Sequence, residues 1–169
     1  MSVATSKTVL WNAAHCGSRT APHPRELAVR ESPDPVASFY DAINSRDFSL
    51  LDQSLAVEWI DHQPDGRGDK ASFIAAVRHV LEAFPDLVVQ IDDRIDAPSH
   101  VTLRLTIRGT HMRDYLGIRG CGRSVAIRSH DIHRVEHGRI VESWQLEDWF
   151  AAFQQIGGLD GRFVAGNLR

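Results

Sequence analysis

At 169 residues and 43% hydrophobic content, the chain carries enough apolar side chains for one sizeable core, whereas two domains would each be marginal. Its 19 Lys and Arg against 22 Asp and Glu leave a formal charge of -3 and no dense basic run, which argues against a nucleic-acid partner. No segment approaches the ~18 consecutive apolar residues of a membrane span, and Asn12 and His15 interrupt the Val9-Leu10-Trp11 patch, so a soluble, cytoplasmic protein without a membrane partner is expected. Cys16 and Cys121 then read as reduced thiols.

Residues 1–33 mix Ser, Thr, Pro, His and charges without a sustained period and are expected to form a flexible arm, with residues 34–158 as the folded domain and 159–169 as a tail. Pro33 and Asp34 supply a helix start, and Val36, Phe39, Tyr40 and Ile43 recur at helical spacing to about Arg46. A short helix through Leu50 to Leu55 leads into Ala56-Val57-Glu58-Trp59-Ile60, a β-like stretch that ends at Asp61-His62-Gln63 before the turn at Pro64-Asp65-Gly66. A longer helix from Asp69 to about Phe84 presents Phe73, Ile74, Val77, Val80, Leu81 and Phe84 on one broad face, and Pro85 stops it. The period then changes from 3.6 to 2, giving strands near 87–95, 100–111, 124–136 and 139–147 and a closing helix near 149–156. Helices first and a meandering antiparallel sheet afterwards indicate an α+β fold.

Parity along the strands places the polar groups. Val101, Leu103, Leu105 and Ile107 share a core-facing side, and the same parity carries His111 to its end. His137-Gly138 reads as a two-residue hairpin loop closed by Glu136 and Arg139. Counting back from it sets Val135 opposite Ile140, His133 opposite Glu142, Asp131 opposite Trp144 and Ser129 opposite Leu146, all on the face of Val125 and Ile127. Asp131, His133 and Glu142 are therefore expected on one apolar wall beside Trp144. A carboxylate there has its pKa moved by desolvation or by a nearby cation, and either suits proton transfer. His130 and His133 have opposite parity, so no metal site is expected; neither a phosphate loop nor a nucleophile elbow is present.

The combined pattern resembles the SnoaL-like polyketide cyclase family: a Phe39-Tyr40 helix with Asn44 and Asp47, then His62-x-Pro64, Phe84-Pro85-Asp86-Leu87, Gly109-Thr110-His111, Gly122-Arg123, Asp131-x-x-Arg134, Gly138-Arg139-Ile140-x-Glu142-x-Trp144, and Gln155-Ile156-Gly157. The resemblance implies a nuclear-transport-factor-like fold, a cone-shaped α+β barrel in which helices pack on a strongly curved antiparallel sheet. It also implies a cofactor-independent cyclase that closes a ring in a polyketide-like carbonyl substrate by aldol-type chemistry, with Asp131 as acid/base. His111 would stabilise the oxygen that gains charge. Tyr40, Trp59, His62, Ser129, His133, Glu142 and Trp144 are the expected substrate-binding residues. The loop from Met112 to Cys121 departs from the family's usual turn, and its Arg113, Asp114 and Arg119 would charge the pocket mouth.

Two other functions fit the same pocket. An epoxide-opening cyclase or hydrolase needs a second acid/base near Asp131, for which Glu142 or Asp148 is the candidate. A non-catalytic small-molecule-binding domain would be indifferent to loss of the Asp131 charge. A homodimer through the outer sheet face, where Arg128, Ile132, Arg134 and Val141 are expected, completes the expectations.

Overall fold

The structure is a computed structural model that describes residues 33–63 and 66–158. The expected arm and tail fall, but for Pro33, outside these residues. Helix α1 spans Pro35–Ser45: the Asp34 side chain accepts the Val36 N–H, and Pro35 occupies a first-turn position that needs no donor. It ends where Arg46 turns left-handed, at φ 65°, with its guanidinium donating to the carbonyls of Ile43, Pro85 and Leu87. Asn44 exchanges two hydrogen bonds with the backbone of Val89, fixing the end of α1 against the sheet. A 3-10 turn at Phe48–Leu50 and a short helix α2, Leu51–Ser54, lead into strands β1, Leu55–Gln63, and β2, Gly66–Gly68.

Helix α3, Lys70–Ala83, opens on a capping box between Asp69 and Ser72. It closes on Phe84, whose backbone, at φ -124° and ψ 76°, has left the helical region that a following proline disfavours. Of its apolar face, Phe73 is buried, whereas Val77, Val80 and Leu81 are half-buried because they line a cavity.

Strands β3, Val88–Asp96, β4, His100–His111, β5, Arg123–Glu136, and β6, Arg139–Glu147, follow as an antiparallel meander, and helix α4, Trp149–Ile156, closes the domain. The sheet order is β2-β1-β6-β5-β4-β3. One expectation is corrected here: the sheet is mixed, because β1 runs parallel to β6. The residues that join β1 to β6 in this way are far apart in sequence, with no tight turn to announce the pairing.

A second correction concerns register. His137 and Gly138 both have positive φ, 51° and 72°, as a type I′ hairpin requires, and Val135 does lie opposite Ile140. Immediately beyond, the register shifts: Arg134 pairs with Glu142, His133 with Ser143, Asp131 with Gln145 and Ser129 with Glu147. The extra residue on β6 is a β-bulge, and it turns the rest of that strand over. Further shifts interrupt β1 against β6 and β3 against β4. Such irregularities bend strands, and the bent sheet wraps its inner face around α1 and α3.

Candidate functional site

The inner face carries a polar patch set in an apolar wall. β4 contributes the wall: Val101, Leu103 and Leu105 are buried and lie directly opposite His133, Asp131 and Ser129. Three rungs of β5 and β6 contribute the patch, His133 with Ser143, Asp131 with Gln145 and Ser129 with Glu147. β1 adds Asp61, beside Ser143 in the parallel pairing. Above them stands a cavity of about 570 Å³, a size that suits a small organic molecule. Tyr40, Asp61, Ser129, Asp131, Gln145 and Glu147 line its polar part.

Asp131 is 2% exposed, and three side chains donate to it: the Tyr40 hydroxyl to Oδ2 at 2.7 Å, Gln145 Nε2 to Oδ2 at 3.3 Å, and the Ser129 hydroxyl to Oδ1. Burial pushes its carboxyl above the usual range, while the Ser129, Tyr40 and Gln145 hydrogen bonds pull the other way. Burial, then the Asp131 charge, drives the Tyr40 hydroxyl well above its ordinary value, so it stays a donor.

The donors continue behind Tyr40. Tyr40 Oη lies 2.8 Å from His133 Nε2, His133 Nδ1 lies 2.8 Å from Ser143 Oγ, and Trp59 Nε1 donates to Ser143 Oγ at 2.9 Å. Because the Tyr40 hydroxyl gives its proton to Asp131, it accepts from His133 Nε2–H, and the neutral ring's Nδ1 then accepts from the Ser143 hydroxyl. Every bond in this chain points toward the carboxylate, which favours the charged form of Asp131. His133 remains a neutral imidazole: burial, then the charge of Arg94, lowers its pKa to about 4.

Glu147 is the second carboxyl that β5 and β6 bring to the cavity, in addition to Asp61 of β1. Burial, then the Asp131 and Asp61 charges, raises its pKa to about 7. It has the same face as Asp131 only because of the β6 bulge, and counting from the hairpin loop misses it. The adjacent apolar pair Ile140-Val141, which breaks the strand's alternation, is the signal that could have revealed the bulge. Asp61, next to His62, also faces inward, and its parity with the buried Trp59 is the clue to that.

A model of the SnoaL-like polyketide cyclase family matches residues 35–156. The chain belongs to that family. Among solved structures, IdmH of Streptomyces antibioticus, a proposed polyketide cyclase, is 26% identical, with a TM-score of 0.69 over 75% of this chain and 99% of that one. TsrD of Streptomyces laurentii is 28% identical, with a TM-score of 0.67 over 74% and 93% of the two chains. AclR of Streptomyces galilaeus, a proposed hydroxylase, shares the fold at 22% identity, with a TM-score of 0.68 over 74% and 94%. No curated protein sequence matches the chain significantly. The α+β, nuclear-transport-factor-like fold expected from the sequence is the fold observed, and SnoaL-like polyketide cyclases are enzymes that take small organic substrates. No helix among the described residues is long and apolar enough to cross a membrane.

Within this SnoaL-like domain, Tyr40, Ser129 and Asp131 line the cavity. Trp59 and His133 are buried behind it and reach Asp131 through Ser143 and Tyr40. His62, Glu142 and Trp144 do not join them, since the bulge sends Glu142 and Trp144 to the outer face. There the His62 and Trp144 rings stack at 4.5 Å, and Glu142 Oε2 lies 2.7 Å from His62 Nε2 while its other oxygen accepts from Arg134. His111 is fully buried, but it packs on Phe84 with Nδ1 3.5 Å from Cys121 Sγ and does not line the cavity. Asp148 caps α4 by accepting the Ala151 N–H. Neither Glu142 nor Asp148 is therefore the second carboxyl beside Asp131. Among the described residues, no cluster of three or more His, Cys, Asp or Glu is arranged to hold a metal ion.

Proposed function

We propose that the protein closes a ring in a polyketide-like carbonyl substrate by an intramolecular aldol reaction, without a cofactor, and that Asp131 is the group that takes the proton. The observation that carries this reading is a carboxylate 2% exposed, at the cavity surface, held by three donors from α1, β5 and β6. A carbon flanked by two carbonyls is already acidic, so one positioned carboxylate suffices to remove its proton, and the cavity need only fold the chain so that the enolate carbon meets a second carbonyl. The apolar remainder of the lining, including Val80, Leu105, Ile107 and Trp149, suits a largely uncharged body.

The second carboxyl, Glu147, also favours an epoxide-opening reaction, in which one acid activates water or an internal hydroxyl and the other protonates the epoxide oxygen. A panel of poly-β-ketone methyl esters and aromatic epoxides separates the two. Ring-closed product from the polyketones, with Asp131→Asn slower by about two to four orders of magnitude at matched folding, is the expected result. Turnover of epoxides alone would replace the aldol reading, and undiminished turnover by Asp131→Asn would remove Asp131 from the chemistry. Ligand binding without turnover of either class would make this a binding domain.

A further inference from the structure

Two of the three cavity carboxyls, Asp131 and Glu147, sit on neighbouring inward-facing rungs of the same strand pair, yet their surroundings differ in kind. Asp131 has three side-chain donors that support its anion. No side chain among the described residues donates to the Glu147 carboxyl, which opens into the cavity and has only its own backbone N–H as a donor. The titratable and charged groups that line the cavity with it are Tyr40 of α1, Asp61 of β1, Arg67 of β2, His79 of α3, Tyr115 of the β4–β5 loop and Asp131 of β5. Of the two basic groups, Arg67 and His79 are both exposed, and neither bonds to Glu147. A carboxyl desolvated among acids and given no side-chain donor holds its proton to higher pH than one whose anion three side chains support.

We propose that Glu147 is the proton donor that completes the reaction begun by Asp131. The inference rests on the aldol reading above. The Asp131 carboxylate removes a proton from the carbon between two carbonyls; the electron pair of that C–H bond, delocalised as an enolate, forms the new C–C bond to the acceptor carbonyl carbon. The C=O π pair moves to oxygen, and that oxygen takes the Glu147 proton to become a hydroxyl. Asp131 is then protonated and Glu147 ionised, and transfer of one proton between them, direct or through water, restores both. The substrate loses one C–H and gains one O–H, so no oxidant, reductant or co-reactant is consumed. This assigns to Glu147 the stabilisation of the nascent oxyanion that sequence reasoning gave to His111, which does not reach the cavity.

The test is the pH–rate profile of wild type, Glu147→Gln, Glu147→Asp and Asp131→Asn on poly-β-ketone methyl esters. Glu147 donates only while protonated, and burial places its pKa at about 7. Wild-type kcat should therefore fall as pH rises through that value. Glu147→Gln keeps the shape but carries no transferable proton, so it should lower kcat by about 10²-fold or more and abolish that basic limb. Glu147→Asp should recover part of the rate together with the limb, an outcome that a purely structural role would not produce. Turnover by Glu147→Gln within about threefold of wild type, with the basic limb intact, would overturn the donor role and leave the ring-closing reading standing. Absence of any wild-type turnover on the polyketones, in folded protein, would overturn both.

Discussion

Glu147 and His133 titrate against one another, and the sign of each follows from burial. Between 4.5 and about 7 the folded chain keeps on Glu147 a proton that the unfolded chain has released, so this group costs stability as pH rises through that window. Between 6.5 and about 4 the unfolded chain takes up a proton that buried His133 refuses, so this group costs stability as pH falls. The two slopes oppose each other where the windows overlap. Glu147→Gln removes only the first. Measured by urea unfolding, the variant should match wild type near pH 4 and exceed it at pH 8 by an amount on the order of 3 kcal/mol, with the gain appearing between 4.5 and about 7. A stability difference independent of pH would mean that the Glu147 carboxyl is not desolvated. This measurement needs no substrate, so it bears on the residue whatever the reaction proves to be. Asp131 was legible from the sequence because Val125, Ile127, Ser129, Asp131 and His133 keep one parity along an unbroken strand. Glu147 was not, because it lies beyond the bulge on β6, whose own alternation is broken.

That break belongs to β6, and it redistributes the site. A one-residue slip exchanges every side chain between faces. With the bulge two rungs from the hairpin loop, Ser143, Gln145 and Glu147 face inward, and Glu142 and Trp144 face outward. The hairpin loop itself was readable because His137-Gly138 has the chemistry of a type I′ turn, but a turn fixes register only until the first bulge. Single substitutions on neighbouring β6 residues distinguish the two registers. Trp144→Ala should remove the stack on His62, cost about 1–2 kcal/mol and leave kcat within about threefold. Gln145→Leu removes a donor to the Asp131 carboxylate, which should raise the Asp131 pKa and move the acidic limb of the rate profile to higher pH. Loss of turnover in Trp144→Ala with a silent Gln145→Leu would restore the unbulged register.

The change of period from 3.6 to 2 made the α+β architecture readable, whereas the parallel pairing of β1 with β6 was not, since it is set by packing between distant segments and not by a local turn. That pairing has a consequence for the molecule's outer surface. It extends a continuous row across the sheet, in which Ile95 of β3 lies opposite Thr102 of β4, then Ile132 of β5, Trp144 of β6 and His62 of β1. Ile95 and Ile132 are 66% and 40% exposed, so the row presents apolar area to solvent on the face that does not hold the cavity. A second copy applied to this face through a twofold axis would cover the row with itself, and about 800 Å² per subunit is the area such a contact needs. We therefore expect a homodimer. Sedimentation equilibrium at micromolar concentration should give twice the chain mass, and Ile132→Arg, which sets like charges against each other across the axis, should shift the protein to monomer. Because the cavity opens on the other face, the monomeric variant should retain turnover. A monomeric wild type would mean that the row is a solvated surface.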